Sequence, residues 1–308
     1  MARSSFRHPD VLVLGGGGVL GEAWMNAVLA GIEDASDFDA RDCEGYVGTS
    51  AGSIVAAALA GGMRPDARLG RLPEAPQVEQ ENGHQPGVGE RAARTAVAAG
   101  ALAVGPVAGL LLSGTAPGGA LVRRAALGRV PAGRRSLGGL GDRIDGLGAR
   151  FDGRLAVSAV DLDSGRRVMF GRPDAPPASV GQAVEASCAI PGVFRPVSID
   201  GREYVDGGAW SPTNMDAAEV SRGTNVLCLN PTGSLGGALA SPRGAIGLAS
   251  RSVAGVEALV LERRGAHVHT VSPDTGSLAA IGGNLMDPRP RRQVIEAGVE
   301  QGRAIARG

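Results

Sequence analysis

Four apolar residues, Val11 to Leu14, run into four glycines. The segment after them, VLGEAWMNAVLAGIEDA, spaces its apolar residues at helical intervals. That pattern predicts a strand, a glycine turn and a helix. GYVGT followed by SAGSIVAAALAG repeats the plan. Two βα units within the first 62 residues imply an α/β fold: a mainly parallel central sheet with helices on both faces. From Met63 to Leu140 the character changes to a polar, proline-containing stretch and then an uncharged run from Thr95 to Val122. Length alone would let that run span a bilayer. Pro106 and recurring glycines interrupt it, however, and alanine is only weakly apolar. Helices flanking a turn, forming an inserted cap over 63–140 of one 308-residue domain, are therefore expected. Contact of that cap with lipid stays open.

Regular structure resumes at RLAVSAVDLDSGRRVMF, where apolar alternation on either side of Asp163-Ser164-Gly165 predicts a hairpin. ASVGQAVEASCAI reads as a helix stopped by Pro191. VSIDGREYVDGG reads as a second hairpin turning at Asp200-Gly201. TNVLCLN and AHVHTVSP are strands, IGLASRSVAGVEALVLERRG the amphipathic helix between them, and RRQVIEAGVEQGRAIARG a closing helix.

Composition narrows the function. With 31 basic and 31 acidic side chains the chain is neutral, which argues against a nucleic-acid binder that must displace counterions. All the basic residues are arginine; with 50 glycines and abundant alanine, this reads as codon bias. Cys43, Cys188 and Cys228 are scattered and odd in number, so neither a disulfide framework nor a zinc site is expected, and a reducing, cytoplasmic setting follows. The apolar run near the N-terminus is too short for a signal peptide.

The chemistry centres on GTSAG, Gly48 to Gly52. A serine pushed out on a tight strand-to-helix turn needs glycines two residues either side, where side chains would collide. Ser50 at a helix start also has amides and the helix dipole directed at a reacting oxygen. A plain helix N-cap serves the same pattern. Histidine is scarce: His84 lies in the polar stretch, and His267 and His269 alternate along a late strand, where a structural role is expected. A carboxylate must then take the proton. The best placed is Asp206 in YVDGGAW, closing a strand before Gly207 and Gly208, where burial would raise its basicity. The glycines of GGGGVLG leave backbone amides bare for an oxyanion. They also fit GxGxxG as Gly16, Gly18 and Gly21, with Asp37 or Asp39 near the position for a ribose contact, so a dinucleotide-binding oxidoreductase is the rival. The serine loop favours the hydrolase.

Taken in order, GGGVLG (Gly16 to Gly21), GTSAG, ASCAIPGVFRP (Ala186 to Pro196) and DGG (Asp206 to Gly208) resemble the patatin-like phospholipases. DLDSG and Asn214 add to the resemblance, which covers most of the chain outside 63–140 and about 231–250. It implies a serine–aspartate dyad, with Ser50 as nucleophile, Asp206 as base and the amides of Gly16, Gly17 and Gly18 as oxyanion hole. It implies ester substrates, from phospholipids to small esters, an acyl-enzyme, and neither metal nor other cofactor. The family's arginine or lysine in the glycine-rich motif is Leu20 here. That departure favours neutral or smaller esters and leaves a non-catalytic, lipid-binding relative as a further alternative.

Overall fold

The computed structural model describes residues 6–70, 117–235 and 242–308. The chain opens with β1 (Val11–Leu14), α1 (Gly18–Ala35), β2 (Gly45–Gly48) and α2 (Ala51–Ala60). Two helices, α3 (Pro117–Leu127) and α4 (Leu140–Asp145), precede the hairpin of β3 (Leu155–Asp161) and β4 (Arg167–Phe170). Then come α5 (Val180–Cys188), a second hairpin of β5 (Val197–Ile199) and β6 (Arg202–Asp206), and β7 (Asn225–Leu229). The chain ends with α6 (Pro242–Arg263), β8 (His267–Val271), α7 (Thr275–Ile281) and α8 (Arg291–Arg307).

The sheet runs β5-β6-β3-β2-β1-β7-β8, with β4 also paired to β3. Strands β3, β2, β1, β7 and β8 are mutually parallel, while both hairpins are antiparallel. In the second hairpin Asp200 (φ +50°) and Gly201 (φ +73°) supply the positive dihedrals that a two-residue primed turn requires. All four residues of β1 are buried, as expected of a central strand covered on both faces. Its alternation sorts the two cores. Leu12 and Leu14 join Leu20, Trp24, Val55 and Val184 on the side of α1, α2 and α5. Val11 and Val13 join Val47, Cys228, Ala254 and Leu261 on the side of α6.

On the first side α8 packs outside α1, so α1 is buried around most of its circumference. Glycines make this contact close: a Cβ on Gly302 would stand 2.1 Å from the Val28 carbonyl oxygen. Trp24 Nε1 donates to Gln301 Oε1 across the same interface.

The register along β3 positions the site. β2 ends with Gly48 opposite Val157, and β6, running the other way, brings Asp206 opposite Ala159. Two residues of strand, roughly 7 Å, separate those levels. The chain after β2 and the end of β6 therefore meet.

Of the expected cap, Met63–Gly70 and Pro117–Leu140 are described; His84, Pro106 and most of the uncharged run lie outside the described residues. Helix α3 is fastened by Arg123, whose Nη1 donates to the Gly165 carbonyl at 2.9 Å and whose guanidinium stands 4.0 Å over the Trp210 ring. Among the described residues no helix is long and apolar enough to cross a membrane.

Candidate active site

Ser50 stands between β2 and α2 with φ +51° and ψ −122°, a conformation that side-chain-bearing residues avoid and that costs of order 1–3 kcal/mol. The surroundings enforce it. A Cβ on Gly52 would lie 1.9 Å from the Leu14 carbonyl oxygen, and one on Gly48 2.5 Å from Ser53 Cα. Both flanking glycines are thus required for closure of the turn. The Ser50 amide donates to Ser187 Oγ at 2.8 Å, and the Ser50 carbonyl accepts from the Ser53 amide and hydroxyl.

Asp206 is 5 % exposed. Burial pushes its carboxyl up to about 6, while the nearby Ser50 hydroxyl and the hydrogen bond from the Gly208 amide hold it back from rising further. The Gly208 amide reaches Asp206 Oδ1 at 2.7 Å, and the Asp206 amide donates to the Ala189 carbonyl. Gly207 is needed where it stands, because a Cβ there would meet Ser158 Oγ at 2.2 Å. A Cβ on Gly208 would meet only the Asp206 carboxylate itself, at 3.0 Å.

The glycine-rich turn completes the group. A Cβ on Gly16 would stand 3.5 Å from Ser50 Cβ, so the turn lies directly against the serine. Gly18 has φ +59°, and α1 begins there. Pro231 packs on Gly17 and Gly21, leaving no room for a Cβ on Gly17. The three candidate amides are not equivalent. The Gly16 amide donates to the Pro212 carbonyl at 2.8 Å, whereas those of Gly17 and Gly18 have no acceptor among the described residues.

Serine elbow, buried aspartate and bare glycine amides thus share one corner of the sheet. Residues 12–219 also match a family model described as patatin-like phospholipase, which is more than half of the chain. The chain belongs to the patatin-like phospholipase family. Membership supports lipid ester hydrolysis as its activity. Among solved structures the chain is similar to VipD from Legionella pneumophila (TM-score 0.48, 17 % identity, 98 % of this chain and 67 % of that one). It is also similar to the type III effector ExoU (TM-score 0.42, 16 % identity, 97 % of this chain and 53 % of that one). The ExoU–SpcU complex of Pseudomonas aeruginosa aligns with a TM-score of 0.36 at 21 % identity, over 98 % of this chain and 53 % of that one. This patatin-like chain spans about half the length of the ExoU chains it matches.

The family's basic residue in the glycine-rich motif has no counterpart here. Leu20, in the first turn of α1, is fully buried in the core, and its amide donates to the Leu285 carbonyl. Asn214 and the block that holds Ser187 figure in the motif reading of this patatin-like site, but with no role for either residue. Ser187 holds the elbow amide from within the ASCAIPG block. Asn214 Nδ2 lies within hydrogen-bonding distance of Thr49 Oγ1, Ser158 Oγ and the carbonyls of Gly207 and Ser211.

The alternatives fare differently. His267 and His269 are exposed on β8, three strands from β2, and β8 meets the level of Gly48 only at Val271. At roughly 4.8 Å per strand they stand well over 10 Å from the elbow. Asp39 caps its own turn and binds Arg41, whose hydrogen bond lowers its carboxyl to about 2; Asp37 faces solvent beside His8. No metal-binding group of three His, Cys, Asp or Glu side chains occurs among the described residues. Cys43, Cys188 and Cys228 are buried and free.

Proposed function

We propose that this patatin-like protein cleaves carboxylic esters of lipids through a Ser50–Asp206 dyad and an acyl-enzyme. The observation that carries the reading is the buried Asp206 carboxylate, its ionisation favoured by the nearby hydroxyl of a conformationally strained Ser50. Asp206 takes the hydroxyl proton as Ser50 Oγ bonds to the ester carbonyl carbon. It returns that proton to the alcohol oxygen as the carbon–oxygen bond breaks. Water then gives a proton to Asp206, attacks the acyl carbon and frees Ser50, which recovers the proton. The amides of Gly17 and Gly18 are assigned to the oxyanion. Gly16 shapes the turn, because its amide is committed to Pro212; a three-donor hole would require that bond to break.

With Leu20 in place of a cation, the glycine turn attracts no anionic head group, so neutral lipid esters and small esters belong to the substrate range. Residues 63–140 are assigned as a cap within the one hydrolase domain. Leu121 on α3, 63 % exposed, is the apolar contact with which it would meet a lipid surface.

A fluorophosphonate probe tests the assignment. It is expected to label the protein on Ser50 alone, with labelling abolished in Ser50→Ala. An unlabelled, folded wild-type protein would show that the chain is a lipid-binding relative without the enzyme.

The pH profile gives an independent check. Asp206 acts only when ionised, and its carboxyl sits near 6. kcat/KM for a neutral p-nitrophenyl ester is therefore expected to rise about tenfold per pH unit below that value and to level off above it. A profile flat between pH 5 and 8 would exclude Asp206 as the base.

A further inference from the structure

One buried carboxylate near the site takes no part in the dyad. Glu257, in the C-terminal half of α6 on the opposite face of the sheet from α2, is 5 % exposed. Its Oε2 accepts from Thr213 Oγ1 and from the Met215 amide, and the nearby Ser211 hydroxyl favours the ionised carboxylate. Both donors, and Ser211, belong to the turn that follows the DGG motif.

That turn touches every segment of the site. The Pro212 carbonyl accepts from the Gly16 amide at 2.8 Å. The Thr213 carbonyl accepts from Thr49 Oγ1, the residue before Ser50. Asn214, in the left-handed region at φ +50°, shares its amide hydrogens among Thr49 Oγ1, Ser158 Oγ and the Gly207 carbonyl beside Asp206. Oxyanion loop, nucleophile and base are thus each tied to five residues, and those five are tied to Glu257.

We propose that Glu257 is a positioning residue, anchoring the Ser211–Met215 turn so that Gly16, Ser50 and Asp206 keep their mutual placement. The inference rests on the dyad assignment above and adds to it a residue from α6, outside the span of the family match. The surroundings of Glu257 are specific. The charge of Asp216 bears on it, and Asp216 in turn takes a bidentate pair from Arg167 and the nearby charge of Arg264. Cys228 of β7 lies close behind. Burial first, then the Asp216 charge, pushes the Glu257 carboxyl up to about 7. A group that accepts two hydrogen bonds from one turn is one that glutamine can imitate and alanine cannot.

The experiment compares the whole chain with Glu257→Ala, Glu257→Gln and Thr213→Val, which removes one donor to Glu257 and keeps the Thr213 carbonyl. Melting curves, kcat and KM on a p-nitrophenyl ester, and the rate of fluorophosphonate labelling at Ser50 are measured below all melting points. Displacement of a reacting group by about 1 Å costs on the order of 100-fold. Glu257→Ala is accordingly expected to lower kcat about 10- to 100-fold, with KM within about threefold and labelling slowed in step. Glu257→Gln is expected to recover kcat to within about threefold, and Thr213→Val to fall between. Should Glu257→Ala fail to fold, Glu257→Gln and Thr213→Val carry the same comparison. A lowered melting point with kcat and labelling unchanged in Glu257→Ala or Thr213→Val would overturn the proposal, as would a Gln variant as slow as the Ala variant. If wild type labels at Ser50 and the variants label equally fast, Glu257 alone is misassigned. If wild type does not label, the dyad falls as well.

Discussion

Asp206→Asn is expected to lower kcat about 1000-fold or more and, at pH 8, to make the protein more stable than wild type. The first effect follows from loss of the base, since asparagine accepts no proton from Ser50. The second follows from the environment that makes Asp206 useful. Its carboxyl lies at about 6 against an ordinary 3.8, chiefly because burial penalises the charge. The native state therefore holds this proton more tightly than the unfolded chain does. The resulting advantage is complete below about pH 4 and is lost as pH rises through 6. Above that, ionising the buried group costs about 3 kcal/mol, since each tenfold change in proton affinity amounts to about 1.4 kcal/mol. Asparagine keeps an oxygen for the Gly208 amide and never ionises. The variant should melt several degrees higher at pH 8, and the difference should vanish near pH 4. Single replacement of His267 or His269 should leave kcat within about tenfold, because both stand far from the elbow, and the same is expected of His84 if Asp206 is the base. A lethal histidine variant, or an Asp206→Asn protein less stable at pH 8, would refute the dyad.

This placement of a buried carboxylate beside a strained serine turn was partly legible in the sequence, for reasons that particular residues make clear. Elements β1, β2 and both hairpins follow from local signals: apolar alternation, and turn residues whose positive φ values Gly165, Asp200 and Gly201 adopt. Gly48, Gly52 and Gly207 could be singled out because close backbone approach leaves glycine as the only fit, and a Cβ on any of them would lie 2.5 Å or less from a neighbouring atom. What stayed hidden is non-local. Ser187 meets Ser50 across 137 residues, and Asn214 meets Thr49 across 165, with only a single common polar residue at each end. Glu257 reads as one more charge on an amphipathic helix. The helices α4 and α7, six and seven residues long, are shorter than two turns, so no period could reveal them. The unequal roles of the three glycine amides likewise depend on Pro212, which is close in space and about 200 residues away in sequence.

Gly52→Ala tests the elbow from the other side, by adding one methyl group where the backbone leaves none. The added carbon would fall 1.9 Å from the Leu14 carbonyl oxygen and 2.8 Å from that of Gly15. Both are main-chain atoms at the end of β1, so no side chain can rotate away. Either α2 must tilt from the sheet or the turn after β1 must retreat, and both movements shift the glycine amides relative to Ser50. The variant is expected to lose about 3 kcal/mol or more of stability and about 100-fold or more in fluorophosphonate labelling at Ser50. Gly255→Ala is the control. That glycine is exposed within α6 with nothing near its would-be Cβ, so alanine there should stabilise by about 0.5–1 kcal/mol and leave labelling unchanged. Wild-type labelling by Gly52→Ala would mean that the turn has slack, and that the strained geometry of Ser50 is not what holds its hydroxyl between the aspartate and the bare amides.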